Sequence, residues 1–133
     1  NIFLGNIHSE KILQKPGMGE AERNRILKQM AGARKPTLLM AVMGGIFSEG
    51  IDYMGKMAIG VIVVSPALPQ ISYERELLRR YYAEMKEMGM EYAYVYPGMN
   101  KVIQAVGRLI RSASDRGIVL LIGERFSVDR YHA

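Results

Sequence analysis

Gln104, Arg108 and Arg111 stand at i, i+4 and i+7 in the segment Gln-Ala-Val-Gly-Arg-Leu-Ile-Arg, so a helix through them would carry all three on one stripe. A guanidinium fork stays charged and donates paired hydrogen bonds. Two arginines on a fixed stripe therefore make a clamp for phosphate oxygens. Val102, Ile103, Val106, Leu109 and Ile110 fill the opposite stripe and are expected to face a core. Gly107 lies between the arginines. Glycine inside a helix costs about 1 kcal/mol relative to alanine, a cost that close approach of a ligand or another backbone would justify. The competing expectation is an ordinary amphipathic helix with two solvated arginines.

A second segment adds to the first. Gly44-Gly45-Ile46-Phe47-Ser48-Glu49-Gly50-Ile51-Asp52 follows the apolar run 38–43. Glycines let the main chain take positive φ and come close to a ligand. Ser48 offers a hydroxyl, and the bare amides near Gly50 can point at an anion. The plainer alternative is a tight loop with Glu49 and Asp52 in water.

The elements that must position these residues read as α/β. A short strand is expected at 11–14, a turn at Pro16-Gly17, and a helix over 20–30 that carries Arg23, Arg25 and Lys28 and ends near Gly32. Residues 37–43, 58–64 and 117–122 are near-continuous apolar runs, as expected of parallel strands covered on both faces. A long helix is expected over 70–88. Residues 92–96 (Tyr-Ala-Tyr-Val-Tyr) alternate like a strand, broken by Pro97-Gly98. The helix bearing Gln104 and the arginines is expected over 100–112, with Asn100 as N-cap.

The two segments together resemble one family. Gly45-x-x-Ser48-Glu49-Gly50-Ile51-Asp52 is similar to motif V, and Gln104-x-x-Gly107-Arg108-x-x-Arg111 to motif VI, of superfamily 2 helicases of the xeroderma pigmentosum group D (XPD) type. The likeness runs from about Lys11 to Phe126. It implies a RecA-like, P-loop NTPase-type fold, a mostly parallel sheet with helices on both faces. Residues 1–133 would then be the second motor domain of a DNA helicase acting in DNA repair. Arg108 and Arg111 would act as arginine fingers on ATP, and Gln104 would place the attacking water or sense the γ-phosphate. Gly45, Ser48 and Glu49 would meet single-stranded DNA. Gly50, Asp52 and Gly107 would couple the ATP cleft to the DNA groove.

The same resemblance implies a partner. Such motors bind ATP between two RecA-like domains, and this sequence contains no G-x-x-x-x-G-K-[ST] loop and no D-E-A-H run. ATP and magnesium are therefore expected to be held mainly by the first motor domain of the same parent chain. The family's iron–sulfur cluster would belong to the first motor domain of the parent; it needs four cysteines, and this sequence has none. A non-catalytic RecA-like module that grips nucleic acid or protein, and a motor on RNA, are the alternatives.

Bulk properties are compatible with this reading. The chain has 133 residues, enough for one domain. Its net charge of +5 favours a polyanionic partner. Without cysteine there are no disulfides or thiolate metal sites, and no metal ligands are assigned. No apolar run reaches 18 residues, so no membrane contact is expected. The helicase resemblance implies a cytoplasmic, nucleoid-associated location in a prokaryote or a nuclear one in a eukaryote. The ten methionines are expected to fill core gaps. On the long helix, Glu76 and Arg80 are expected to pair at i,i+4 beside a solvated face bearing Arg75 and Arg79. The tyrosines of 92–96 are expected to pack, with base stacking the alternative. His8 and His132 have no metal-ligand spacing around them.

Overall fold

A computed structural model describes residues 9–48, 51, 53, 57–110 and 115–131. The chain divides into two units, residues 1–51 and 52–133.

The first unit is built on one strand–helix–strand turn. Strands β1 (Glu10–Leu13) and β2 (Thr37–Met40) pair in parallel, from Glu10 opposite Thr37 to Leu13 opposite Met40. A parallel pair needs a long crossover, which is helix α1 (Glu20–Ala31). Gly17, at φ 74°, turns the chain toward it. Glu20 and Glu22 in its first turn and Lys28 in its last complement the helix dipole. Ile26 is its buried residue, and the Gln29 amide donates to Glu10 Oε1, tying α1 to β1 at 2.5 Å.

In the second unit, β3 (Gly60–Val64) and β4 (Ile118–Ile122) are also parallel, Gly60 opposite Ile118 and Val64 opposite Ile122. Between them run helix α2 (Tyr73–Lys86), a π-helical turn (Glu91–Val95) and helix α3 (Tyr96–Gly107). Ser72 caps α2 by accepting from the Arg75 amide. At the other end Glu87 adopts φ 58°, and the Glu87 and Met88 amides close back on Ala83 and Tyr82. That is a Schellman-type stop with a non-glycine residue at the left-handed position. Val63, Ala93, Tyr94, Val95, Val102 and Leu109 are buried. Two 3₁₀ turns, Glu124–Ser127 and Asp129–Tyr131, follow β4.

Several sequence expectations are corrected here. The tyrosine stretch is not a strand. It is the π-helical turn leading directly into α3, so Pro97 falls in the first turn of that helix, and the Ala93 carbonyl four residues earlier, to which proline has no N–H to offer, accepts from Arg75 instead. Helix α3 therefore starts at Tyr96 rather than at Asn100, and it ends at Gly107. The apolar strands are not covered on both faces. Every residue of β4 is 38–75% exposed, and only Val63 of β3 is buried. Helix α2 likewise shows an apolar stripe (Tyr73, Leu77, Tyr81, Met85) to solvent. No described methionine is fully buried.

Candidate functional site

Helix α3 delivers Gln104 and Arg108 to the same place. Its last residue is Gly107, and Arg108 caps it, with the Arg108 amide donating to the Ala105 carbonyl at 3.3 Å. A cation is favoured at this negative end of the helix dipole. Gln104, Gly107, Arg108 and Ile110 line one open surface depression. Gly107 is thus terminal rather than mid-helix, and a Cβ built there would meet nothing within 4 Å. Among the described residues no packing accounts for it. Of the stripe expected to face a core, Val102 and Leu109 are buried, but Ile103 is 61% and Ile110 47% exposed. The helix stops at Gly107, so the 3.6-residue period no longer governs Ile110. Arg111 lies outside the described residues.

Sequence reasoning missed Tyr53, which follows directly on Asp52. Burial raises its phenol pKa, and the positive charge of Arg108 partly offsets that rise. Within the second unit, Tyr53 thus lies in electrostatic range of Arg108 at the α3 terminus. Nothing in the local spacing signals this, because 55 positions separate the two residues.

The approach to α3 is braced from α2. Tyr94 Oη donates to Glu76 Oε1 at 2.8 Å, Arg79 Nε donates to Glu76 Oε2 at 2.9 Å, and Arg75 Nη1 donates to the Ala93 carbonyl at 3.1 Å. The hydrogen bonds from Tyr94 and Arg79 hold the Glu76 carboxyl below its ordinary pKa. Burial, and then the Glu76 hydrogen bond, raises that of Tyr94. Glu76 therefore pairs with Arg79, not with Arg80. The face bearing Arg75 and Arg79 is turned onto the π-helical turn, which supplies acceptors that the helix sequence alone does not reveal. The tyrosines pack as expected: Tyr82 stacks on Tyr92 at 4.2 Å and 13°, and Tyr96 meets Tyr92 edge-on. Lys86 Nζ donates to Tyr92 Oη at 3.1 Å.

The glycine-rich loop belongs to the first unit, beyond the carboxyl end of β2, where open α/β sheets place ligands. Gly44 takes φ 81°. The Gly45 amide donates to the Val42 carbonyl at 2.9 Å, and the Gly45 carbonyl accepts from both the amide and the hydroxyl of Ser48 at 3.0 Å. The Ser48 hydroxyl is therefore already engaged, and a ligand oxygen would have to compete for its proton. Glu49, Gly50 and Asp52 lie outside the described residues. Phe47 and Ile51 are buried and anchor the segment.

Among the described residues no group of three His, Cys, Asp or Glu side chains is placed to hold a metal ion. With no cysteine anywhere in the sequence, these residues do not fit an iron–sulfur cluster. No helix among the described residues is long and apolar enough to cross a membrane.

Comparison with known proteins places this arrangement in a family. The helicase C-terminal domain model matches residues 4–133. The ATP-dependent DNA helicase CHL1 of Candida albicans is 29% identical over 144 residues, covering 96% of this chain and 17% of that protein. The regulator of telomere elongation helicase 1 homolog of Caenorhabditis briggsae is 31% identical over 130 residues, covering 90% of this chain and 13% of that protein. A solved XPD helicase superposes with a TM-score of 0.71 at 20% identity, over 96% of this chain and 23% of that one. The match establishes a RecA-like α/β fold. The chain spans less than a quarter of the length of each of these relatives. With its parallel strands, helical crossovers and Gln–Gly–Arg helix terminus, the chain belongs to the helicase C-terminal domain family.

Proposed function

We propose that this domain is the second motor domain of an ATP-dependent DNA helicase, supplying the trans-acting groups of the ATP site and part of the DNA track. The carrying observation is that Gln104, Gly107 and Arg108 line one open depression, in a chain matched to the helicase family over almost its whole length. ATP would be held mainly by a first motor domain, together with its magnesium. On closure Arg108 and Arg111 would reach the γ-phosphate and stabilise charge in the transition state, an effect of about 10³–10⁵ in rate for such fingers. Gln104 would orient the attacking water. Gly107, with no Cβ, would let the opposing domain or nucleotide approach.

Gly45, Ser48 and Glu49 would follow one strand of DNA through its phosphates, which carry no sequence information. Gly50 and Asp52 would link that track to the ATP side. A phosphate oxygen taking the Ser48 proton would replace the Gly45 carbonyl, so one hydrogen bond is exchanged for another and the net gain is modest. A role in DNA repair, in a nuclear or nucleoid setting, belongs to the same reading.

Fluorescence anisotropy with labelled single strands across a salt series tests it. Each neutralised phosphate contributes about −0.7 to the slope of log K against log salt, so three or four contacts give about −2 to −3. Ser48→Ala should weaken binding a few-fold, and Arg111→Ala should leave it nearly unchanged. If Arg111→Ala abolished DNA binding and Ser48→Ala had no effect, the division of labour would be wrong, and a non-catalytic binding module would replace the motor. Equal or tighter binding to RNA of the same sequence would favour the RNA motor.

A further inference from the structure

Gln14, the residue after β1, sits against the glycine-rich loop. Its backbone amide donates to the Met40 carbonyl at 2.9 Å, extending the β1–β2 ladder by one residue. Its side-chain Oε1 accepts from the Val42 amide at 3.1 Å. That contact fixes the amide's orientation, because only the oxygen can accept from an N–H. The amide lies flat against Gly45, with Oε1 as well as Nε2 within 3.0 Å of where a Cβ would sit, which leaves Nε2 beside the loop. A Cβ on Gly45 would lie 2.7 Å from Gln14 Nε2 and 2.8 Å from the Val42 carbonyl oxygen. The Val42 carbonyl is main chain and cannot give way, so it requires glycine at 45, and the Gln14 amide packs against the same bare Cα. Among the described residues Nε2 has no acceptor, and Gln14 is only half-buried.

We infer that Gln14 is an additional phosphate-binding residue of the loop, with two separable duties. Oε1 holds the entry of the loop in place through Val42. Nε2 presents N–H donors beside Gly45 to the phosphodiester oxygen that the loop takes up. The inference rests on the phosphate-binding reading of Gly45 and Ser48. Physically it answers a shortage. The Gly45 amide and the Ser48 hydroxyl are both spent on internal acceptors, so a phosphate oxygen arriving at this turn needs a donor that is not. A primary amide is suited to it, since it is neutral, rigidly oriented by Val42, and indifferent to base identity.

Gln14→Glu separates the two duties. A carboxylate keeps an oxygen for the Val42 amide, removes the Nε2 donors and puts a negative charge where phosphate would lie. The domain should melt within a few degrees of the unsubstituted chain, while affinity for a single-stranded oligonucleotide falls about tenfold or more, as for loss of a hydrogen bond to a charged group. Gln14→Met, which fills the space without either polar atom, should lower both the melting temperature and the affinity. Inorganic phosphate in millimolar excess should compete with the oligonucleotide on the unsubstituted chain and less on Gln14→Glu. DNA binding by Gln14→Glu equal to that of the unsubstituted chain would overturn the inference and leave the Ser48 reading standing. An unsubstituted chain that binds no single-stranded DNA would overturn both. If Gln14→Glu melted as low as Gln14→Met, Gln14 would be a structural brace only, and the assignment of Nε2 would fall.

Discussion

Gly89 and Gly107 lie at opposite ends of the segment leading to the candidate ATP-site residues, and replacing each by alanine should have opposite results. Gly89 is buried where the chain turns back under α2. A Cβ there would fall well inside contact distance of the Arg79 carbonyl oxygen, and 3.0 Å from the Ala83 Cβ. The obstacle is main chain, so no rotamer change relieves it, and α2 must part from the π-helical turn. Overpacking of this kind costs about 1–3 kcal/mol, and a backbone clash belongs at the upper end. At about 3–5 °C per kcal/mol for a chain of this size, Gly89→Ala should lower the melting temperature by roughly 9–15 °C.

Gly107 meets nothing within 4 Å and has no left-handed φ. Gly107→Ala should therefore keep or raise stability, by up to about 0.5–1 kcal/mol. Thermal melts followed by far-ultraviolet circular dichroism read both. In a chain joined to a first motor domain, Gly107→Ala should slow ATP turnover despite its stability, because the space it fills is the space proposed for the nucleotide or the opposing domain. A Gly89→Ala melt within 2 °C of the unsubstituted chain, on the same ~3–5 °C scale, would refute the packing argument. A Gly107→Ala chain that unfolds more easily would show that the glycine serves the fold.

Glu87→Gly should stabilise the domain by roughly 0.5–1 kcal/mol, since the left-handed stop of α2 suits glycine; an unchanged or lower denaturant midpoint would contradict the cap assignment. Glu76 titrates below its unfolded value and Tyr94 above. The stabilisation from Glu76 is therefore complete above the ordinary carboxylate pKa and is lost as pH falls through the depressed folded value. That from Tyr94 is complete below the ordinary phenol pKa and is lost as pH rises through the raised one. Tyr94→Phe should flatten the acid limb of a stability–pH profile, and an acid limb of unchanged steepness would exclude this pair as its source. The isolated chain should release no phosphate from ATP above background with single-stranded DNA present, and turnover abolished by Arg111→Ala in this chain alone would show that no first motor domain is required.

Local chemistry is legible wherever neighbours in sequence are the relevant neighbours. The turn at Pro16-Gly17, helix α1 with its charged ends, and the three longer apolar strands follow from composition and period, with ends shifted by one to three residues. So does the grouping of Gln104 with Arg108, since one helical turn sets it.

The tyrosine run misleads because its alternation reads as a strand, while Ala93, Tyr94 and Val95 are buried in succession within a π-helical turn. Here the deciding contacts come from α2, where Glu76, Arg75 and Tyr82 receive Tyr94, the Ala93 carbonyl and Tyr92. The hydroxyl of Ser48 was legible as a donor, but its engagement with Gly45 was not. Gln14 carries no sequence signal at all: a glutamine after a strand is unremarkable until the parallel partner brings Val42 and Gly45 against its side chain. Residue types and their spacing along one helix or loop were determined by the sequence itself. Which groups act on one another at separations of 18 to 55 positions was decided only by the tertiary structure, because such pairings depend on how the crossovers pack and not on any local period.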